Sequence, residues 1–418
     1  MNNRITRINV REEDKKYLDI VISYKRPKII NRKEYSQLQE LKNKIDSKDW
    51  DKNKKFSNDY ELIHIPNKRK KSDSIALYEP LSRSYFKMIE IIFDFKLLDK
   101  NSNKESSDSN KDSKESNKES SDSNKEFKSA HIAEGPGGFM EATYNLSHNI
   151  NIYKDYKHYG ITLYSNNKDI PGWNKASTFI NSDSDIVISY GKDNTGNIYN
   201  YENIIEFGNT VGINSCHIVT GDGGFDFSLD FNKQEQLSYR LIFCEIVCAL
   251  TVQKVGGHFV CKMFDTFSMS SIKLLYFISC FYEEVYLNKP LTSRPANSEK
   301  YIVAKNFKGI DLSYLDNLYK LIDYWNNLEN PNEVTDIFED EIPEYFIKSI
   351  NEYNKLNSKQ QIITINNTIN IINETNKLSF LNKIIERQII GAKNWCEKYK
   401  EKINTKSSFI MEYRENKF

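Results

Sequence analysis

Apolar and polar residues alternate along the middle of the chain in the way that a mostly parallel α/β sheet requires. Short apolar runs typical of strands occur at 130–133, 157–163, 185–190, 217–220, 257–262, 283–287 and 300–304. Helical spacing is found between them, at 138–146, 233–254 and 270–280. The loop between the last two strands is too short for a crossover helix, which predicts an antiparallel pair at the sheet edge.

The flanking regions have different patterns. Residues 1–80 are mixed and polar, with strand-like runs at 18–24 and 60–65, and are interpreted as an N-terminal extension. An amphipathic helix is predicted at 81–98, at the start of a main domain that spans 81–306. Residues 310–418 form a helical C-terminal region, in which 381–403 is the clearest helix.

One segment inside the main domain has no residue that could be buried. Residues 101–126 contain only Asn, Ser, Lys, Glu and Asp, and the eight-residue unit Asn-Lys-Glu-Ser-Ser-Asp-Ser-Asn occurs at 103–110 and again at 117–124. This composition predicts a disordered low-complexity insertion. A tolerated expansion in a surface loop is favoured over a binding role.

Composition excludes few classes of function. The chain has 59 basic and 58 acidic residues, so its net charge does not indicate nucleic-acid binding. The balanced total does not exclude a local basic groove that binds a polyanion. None of the six cysteines forms a Cys-x-x-Cys pair and five lie in apolar runs, which predicts reduced core residues. The absence of a signal-peptide core and of long apolar runs predicts a soluble, intracellular protein without a membrane anchor.

A glycine-rich turn follows the first of these strands and opens a helix. Its sequence, Glu-Gly-Pro-Gly-Gly-Phe, occupies residues 134–139. Glycines here let the backbone turn sharply and approach a ligand without a Cβ in the way. Dinucleotide-binding turns carry a further glycine where this chain has Met140, so a cofactor without a pyrophosphate, S-adenosyl-L-methionine, is favoured. A purely structural turn is the alternative.

Two charged residues stand at the carboxyl ends of neighbouring predicted strands, where α/β proteins bind ligands. Asp222 follows the run 217–221, and Lys262 ends the run 257–261. Desolvation in this apolar setting predicts a lowered pKa for Lys262, which makes a neutral amine accessible. The plainer interpretations are a turn-forming aspartate before glycine and a lysine that reaches solvent at a strand tip.

Lys87 and Glu299 complete a set of two lysines and two carboxylates. Singly, they are a charge on a helix flank and a charge at a strand start. Together with Asp222 and Lys262 they suit methyl transfer to a ribose hydroxyl, which requires an aligned oxygen and removal of its proton. A second cation is expected to lower the pKa of the basic lysine further, and the carboxylates to raise it partly back. No metal is required, and the six histidines are scattered along the sequence.

These segments resemble the FtsJ-type ribose 2′-O-methyltransferases, in particular the mRNA cap-1 branch of eukaryotes and large viruses. The similarity covers about residues 80–306 and is carried by the segments 134–139, 222–225, 256–265 and 289–301. Weaker similarity lies at 159–163 and 196–198. The resemblance implies a Rossmann-like, S-adenosylmethionine-dependent methyltransferase sheet with N-terminal and helical C-terminal additions.

The resemblance also implies roles for individual residues. The catalytic tetrad is expected to be Lys87, Asp222, Lys262 and Glu299, with Lys262 accepting the ribose proton. Cofactor contacts are expected from Ser82, Ala133, Glu134, Gly135, Pro136, Gly137, Gly138, Phe139, Asn197, Ile198 and Asp222. RNA contacts are expected from Asn232, Lys233, Gln234 and Asn297. The chain departs from the family pattern at Asn197, where Asp is usual and a weaker adenine contact is expected, and at Glu134, where a small residue is usual.

The expected activity is methylation of the first transcribed nucleotide of a capped mRNA, from cap 0 to cap 1. The alternatives are a 2′-O-methyltransferase of rRNA or tRNA, which the same tetrad would serve, and a non-catalytic RNA-binding subunit of a capping complex. Other capping enzymes are expected as partners, in the cytoplasm, a viral factory or a virion, with the nucleus as an alternative. Residues 225–231 and the N-terminal extension are candidates for binding the cap. The basic run 68–71 is a candidate for RNA phosphates, although a solvated loop or an import signal is favoured there.

Overall fold

The computed structural model of the chain describes residues 4–45, 47–66, 73–99, 126–167, 170–225, 230–373 and 377–414. Three sequence predictions therefore fall outside the described residues. They concern the low-complexity segment up to residue 125, the basic run 68–71, and residues 226–229 of the candidate cap-binding segment.

A large twisted sheet lies at the centre of the described part of the chain. Its strands are β1 (Ile5–Arg7), β3 (Glu126–Ile132), β4 (Asp155–Ile161), β5 (Ile186–Ser189), β6 (Cys216–Gly221), β7 (Gln253–Met263), β8 (Tyr282–Asn288) and β9 (Lys300–Phe307). The strand order is β1-β8-β9-β7-β6-β3-β4-β5. The five strands from β7 to β5 are parallel, whereas β9 is antiparallel to both β7 and β8. The predicted α/β class and the antiparallel pairing of β8 with β9 are confirmed, but the sheet edge predicted for this pair is occupied by β1, which pairs with β8.

Helices cover both faces of this sheet and extend beyond it at the C-terminal side. They are α1 (Arg32–Lys42), α2 (Ser47–Asn53), α3 (Ser84–Phe95), α4 (Gly138–Ile150), α5 (Ser177–Ser182), α6 (Tyr201–Val211), α7 (Gln234–Val252), α8 (Met269–Phe281), α9 (Leu312–Asn326), α10 (Glu344–Asn373), α11 (Lys377–Lys398) and α12 (Ser408–Arg414). A second, two-stranded sheet joins β2 (Ile20–Ser23) to β10 (Asp336–Phe338). The predicted helical C-terminal region is confirmed.

Successive side chains of the central strands point to opposite faces of the sheet, and this divides the hydrophobic core into two layers. Val219 on β6 and Phe259 on β7 face the layer built by α6 to α9, whereas their neighbours Ile218 and Val260 face α3, α4 and α11. Successive strand side chains point to opposite faces, so strands buried on both sides are apolar throughout. All six cysteines are buried and unbridged, which confirms them as reduced core residues.

The sequence prediction was wrong at several places. Glu126, predicted to end the disordered insertion, begins β3, and the helix predicted at 233–254 ends at Val252, where β7 begins. Residues 60–65 do not form a strand but contain a 3-10 turn at Glu61–Ile63. The guanidinium of Arg83 donates to the carbonyl oxygens of Tyr60, Glu61 and His64, so these carbonyls are not free to pair with a strand. The helix predicted at 381–403 ends at Lys398.

Among the described residues, no helix combines the length and the apolar character needed to cross a bilayer.

Candidate active site

The four predicted catalytic residues meet at the carboxyl edge of the parallel strands. Asp222 directly follows β6, Lys262 lies near the end of β7, Glu299 precedes β9, and Lys87 lies in the first turns of α3. Lys262 Nζ lies 3.3 Å from Asp222 Oδ1 and donates to the Asp222 carbonyl oxygen at 2.7 Å. Lys87 Nζ lies 2.7 Å from Glu299 Oε1. The fold therefore assembles two largely buried ion pairs from four distant parts of the sequence.

Tyr301 joins the two ion pairs and was not identified from the sequence. Its hydroxyl donates to Asp222 Oδ1 at 3.1 Å and lies 3.3 Å from Lys87 Nζ. Burial, together with the Asp222 and Glu299 carboxylates, raises the pKa of this phenol, so it stays a neutral donor. The signal in the sequence was its position two residues after Glu299, at the start of β9, which places it opposite Lys262 on β7.

The charge state of Lys262 differs from the prediction. Burial opposes its ammonium form, but the carboxylates of Asp222, Glu299 and Glu245 outweigh burial and raise the pKa above the usual value of a lysine. The prediction of a lowered pKa was wrong because it counted desolvation and a second cation more heavily than the carboxylates. Glu299 is correspondingly acidic: burial raises its pKa, but Lys87 and Lys262 bring it to about 2.

A lysine with a lowered pKa does occur beside the site, at Lys289. It is buried, and burial lowers its pKa to about 7. Its Nζ donates to the carbonyl and side-chain oxygens of Asn297 at 2.9 and 2.8 Å and to the carbonyl oxygen of Glu299 at 2.6 Å. Since all three partners are acceptors, Lys289 fixes the loop that presents Asn297 and Glu299.

The glycine turn lies beside this cluster, between β3 and α4. Ala133 and Gly137 have φ angles of 53° and 100°, in the left-handed region that favours glycine. A Cβ at Gly138 would overlap the hydroxyls of Ser82 and Ser84, and one at Gly135, which precedes Pro136, would overlap the backbone at residue 171. The turn therefore presents bare backbone at the start of a helix, with the buried ring of Phe139 behind it 5.5 Å from that of Tyr301.

Glu134 supports the turn from inside the protein. Its Oε1 accepts the Met140 N–H at 2.8 Å, and its Oε2 lies 3.0 Å from both the Thr220 hydroxyl and His131 Nδ1. Burial, and to a lesser degree the Asp222 carboxylate, raise its pKa well above the usual range. The departure from the family pattern thus supplies a buried acceptor that holds the first turn of α4.

Asn197 and Ile198 follow β5 on a neighbouring loop. Asn197 Oδ1 accepts the Tyr199 N–H at 3.0 Å, and Ile198 is buried. Gly196, with φ 66°, lies against the backbone of Thr162 after β4. Successive strand ends thus supply a bare turn, a polar loop and an apolar side chain, a combination that fits a nucleoside-bearing cofactor without a pyrophosphate.

The predicted RNA contacts lie on two neighbouring segments. The Ser298 hydroxyl donates to Gln234 Oε1 at 2.6 Å, which joins the start of α7 to the exposed Asn297. Asn232 Nδ2 donates to Asn43 Oδ1 at 2.7 Å. Asn232 and the exposed Lys233 line a cavity of about 1170 Å³ between the N-terminal extension and α7. Aromatic and acidic side chains also line it, among them Tyr24, Tyr35, Phe231, Glu235 and Glu333.

One histidine lies close to two carboxylates among the described residues. His148 lies with Asp183 and Asp185 so that one ligand atom of each is within 4.8 Å of the others. The Tyr144 hydroxyl already donates to Asp183 at 2.5 Å, and Lys157 Nζ lies 2.9 Å from Asp185. Both carboxylates are therefore engaged with protein donors.

Comparison with known proteins gives one family and a set of relatives. Residues 80–307 match the family described as FtsJ-like methyltransferase. The chain is 36% identical over 237 residues to cap-specific mRNA (nucleoside-2′-O-)-methyltransferase 1 of Mus musculus. This alignment covers 54% of the present chain and 26% of the mouse protein. The same enzyme of Homo sapiens is 35% identical over 236 residues with the same coverage. That of Dictyostelium discoideum is 34% identical over 249 residues, covering 55% and 32%. The match thus spans about a quarter to a third of these relatives.

Proposed function

The chain belongs to the FtsJ-like methyltransferase family, and we propose that it is an S-adenosylmethionine-dependent mRNA cap 2′-O-methyltransferase acting on the first transcribed nucleotide. The observation that carries the proposal is the paired assembly of Lys87 with Glu299 and of Lys262 with Asp222 beside the glycine turn. The names of the relatives support capped mRNA as the substrate.

Lys262 is the base in the proposed reaction. S-adenosylmethionine supplies an electrophilic methyl group on a sulfonium sulfur. With the cofactor bound, the Lys262 amine would accept the proton of the ribose 2′-hydroxyl, that oxygen would bond to the methyl carbon, and the carbon–sulfur bond would break to leave a neutral thioether. Because the surrounding carboxylates favour the ammonium form, Lys262 must first release a proton. A positive charge bound beside it favours this release, since like charges destabilise the protonated form.

Asp222 and Tyr301 orient the side chain of Lys262 and limit its conformational freedom. Asp222 accepts from both Lys262 and Tyr301, and Tyr301 connects it to the pair of Lys87 and Glu299. Gly224 leaves room at the amine, because a Cβ there would lie 3.1 Å from Lys262 Nζ. A base held in one geometry next to open space is suited to meet an incoming hydroxyl.

The cap guanosine is proposed to enter the cavity beside Asn232 and Lys233. N7-methylated guanine is recognised by stacking on aromatic rings with an acid nearby, and Tyr35, Phe231 and Glu333 supply those groups in the cavity wall. The bond between Ser298 and Gln234 joins this wall to the loop that carries Glu299.

Transfer of labelled methyl from S-adenosylmethionine to short RNAs tests the proposal. Matched RNAs would carry an N7-methylguanosine cap, an unmethylated guanosine cap, or no cap, and nuclease digestion would locate the label. Label on the 2′-oxygen of the first nucleotide of capped RNA alone is the expected result. Label independent of the cap would indicate a methyltransferase of structured RNA. No label on any RNA, with the cofactor still bound, would favour a non-catalytic subunit or a missing partner.

A further inference from the structure

A tryptophan from the C-terminal helices reaches the helix that carries Lys87. Trp395 on α11 is 1% exposed, and its indole N–H donates to Glu90 Oε1 on α3 at 3.0 Å. Its ring packs edge-on against Phe86 at 5.5 Å. Trp395 lies far outside the segment that matches the methyltransferase family, which ends at residue 307.

Glu90 fixes the first residues of the loop between β8 and β9. Its Oε2 accepts the Leu291 N–H at 2.6 Å, and its Oε1 accepts the N–H and the hydroxyl of Thr292 at 2.7 and 2.6 Å. Including the indole of Trp395, this fully buried carboxyl receives four hydrogen bonds. Burial raises its pKa, so each donor matters in keeping it an acceptor.

The same loop ends at Glu299. Lys87 lies three residues before Glu90, on the same face of α3, and pairs with Glu299. Ser293, next to Thr292, donates its hydroxyl to Glu299 Oε1 at 2.8 Å. Helix α3 therefore holds the loop at its start through Glu90 and at its end through Lys87.

We propose that Trp395 is a positioning residue of the active site: its indole holds the Glu90 carboxylate against the loop and thereby sets the place of Glu299. The C-terminal helix α11 then contributes to catalysis, because its Trp395 positions the loop that carries Glu299. This inference rests on the proposed function. Loss of the indole N–H leaves Glu90 with three donors and favours its protonation, and the oxygens of a neutral carboxyl accept more weakly from the Leu291 and Thr292 N–H groups than those of a carboxylate.

The substitution Trp395→Phe tests the inference because it removes the N–H and keeps an aromatic ring. The expected result is a decrease of about tenfold in kcat, the size expected for one hydrogen bond to a charged group, with KM for capped RNA and the dissociation constant of S-adenosylmethionine changed less than about twofold. The matched control is Tyr399→Phe, four residues after Trp395 and directly after the end of α11. Its hydroxyl lies 3.0 Å from Asp94, and its ring packs on Trp395 at 4.8 Å. The control should keep wild-type kcat.

Two further measurements separate positioning from general stability. Hydrogen–deuterium exchange at Leu291 and Thr292 should increase in Trp395→Phe and stay unchanged in Tyr399→Phe. In a double-mutant cycle, Trp395→Phe should lower kcat little further once Glu90→Gln is present. Wild-type kcat and exchange in Trp395→Phe, or equal losses in Trp395→Phe and Tyr399→Phe, would overturn the inference. If the wild-type protein transfers no methyl group, the proposed function fails, and the exchange data alone still decide the role of Trp395.

Discussion

At the scale of single residues, the chemistry of the site depends on the carboxylates around one lysine. Asp222, Glu299 and Glu245 raise the pKa of Lys262 against the effect of its burial. Burial also raises the pKa of Glu245 to about 8, so this carboxyl is mostly protonated at neutral pH and bears little negative charge there. Asp222 and Glu299 are therefore the groups that keep Lys262 charged in the free protein.

Replacement of Lys262 by alanine should abolish methyl transfer. The expected loss of kcat is at least about 10³-fold, in the range attributed to a positioned general base. The cofactor turn makes no hydrogen bond with Lys262 among the described contacts, so binding of S-adenosylmethionine by calorimetry should persist. Turnover at the wild-type rate would exclude Lys262 as the base.

The pH dependence of kcat/KM should reveal the charge state of Lys262. Taken with respect to S-adenosylmethionine, this quantity reports the protein before the positive charge of the cofactor is bound, and a base with a pKa above the usual lysine value of about 10.4 is mostly protonated from pH 7 to 9. The rate should therefore rise about tenfold per pH unit over this range. Glu299→Gln removes a charge that raises the pKa of Lys262, so the rise should move to lower pH, although maximal activity falls. A wild-type profile flat above pH 7 would contradict the assignment.

At the scale of elements, the start of α4 packs directly on the start of α3. Gly138 opens α4, and its bare Cα faces the hydroxyls of Ser82 and Ser84. The contact joins the predicted cofactor turn to the helix that carries Lys87. A side chain at this point would push the two helices apart, and the backbone turn would move with them.

Gly138→Ala should therefore destabilise the protein and weaken cofactor binding. The expected loss in the free energy of unfolding is about 1–3 kcal/mol, typical of overpacking at a tight contact. Gly172→Ala is the matched control, because a Cβ there meets nothing within 4 Å. Chemical denaturation and calorimetry with S-adenosylmethionine measure both effects. Equal behaviour of the two variants would show that the contact at Gly138 is not needed.

The sequence predicted the elements that depend on local pattern and missed those that depend on distant partners. Short apolar runs in the sequence identify the parallel strands and therefore also the residues at their carboxyl ends. The proximity of Asp222 and Lys262 follows because their strands are neighbours in the sheet. The turn at 61–63 depends on Arg83, twenty residues later, and the place of Glu299 depends on Lys289 and Glu90. Hydrophobic periodicity carries no information about such side-chain contacts.

At the scale of the whole molecule, a carboxylate of the N-terminal extension joins α3 to the active-site loop. Glu61 Oε1 lies 2.6 Å from Arg294 Nη2, and its Oε2 lies 3.4 Å from Arg83 Nη2. Burial opposes the ionised form of Glu61, but the two guanidinium groups outweigh burial and lower its pKa. One residue outside the family-matched segment thus neutralises two cations within it.

Glu61→Gln should destabilise the protein on the order of 3 kcal/mol, because it leaves Arg83 and Arg294 partly buried without a counter-charge. The substitution should also lower kcat, since Arg294 belongs to the loop that carries Glu299. Glu79→Gln, at an exposed position of the same extension, is the control and should unfold like the wild-type protein. The folded-state pKa of Glu61 is lowered, so its contribution is complete above the unfolded value of about 4.3 and is lost as the pH falls through the folded value. Denaturation curves of wild-type and Glu61→Gln protein should therefore diverge at pH 7 and converge in acid. A constant difference across this range would mean that Glu61 acts through packing and not through its charge.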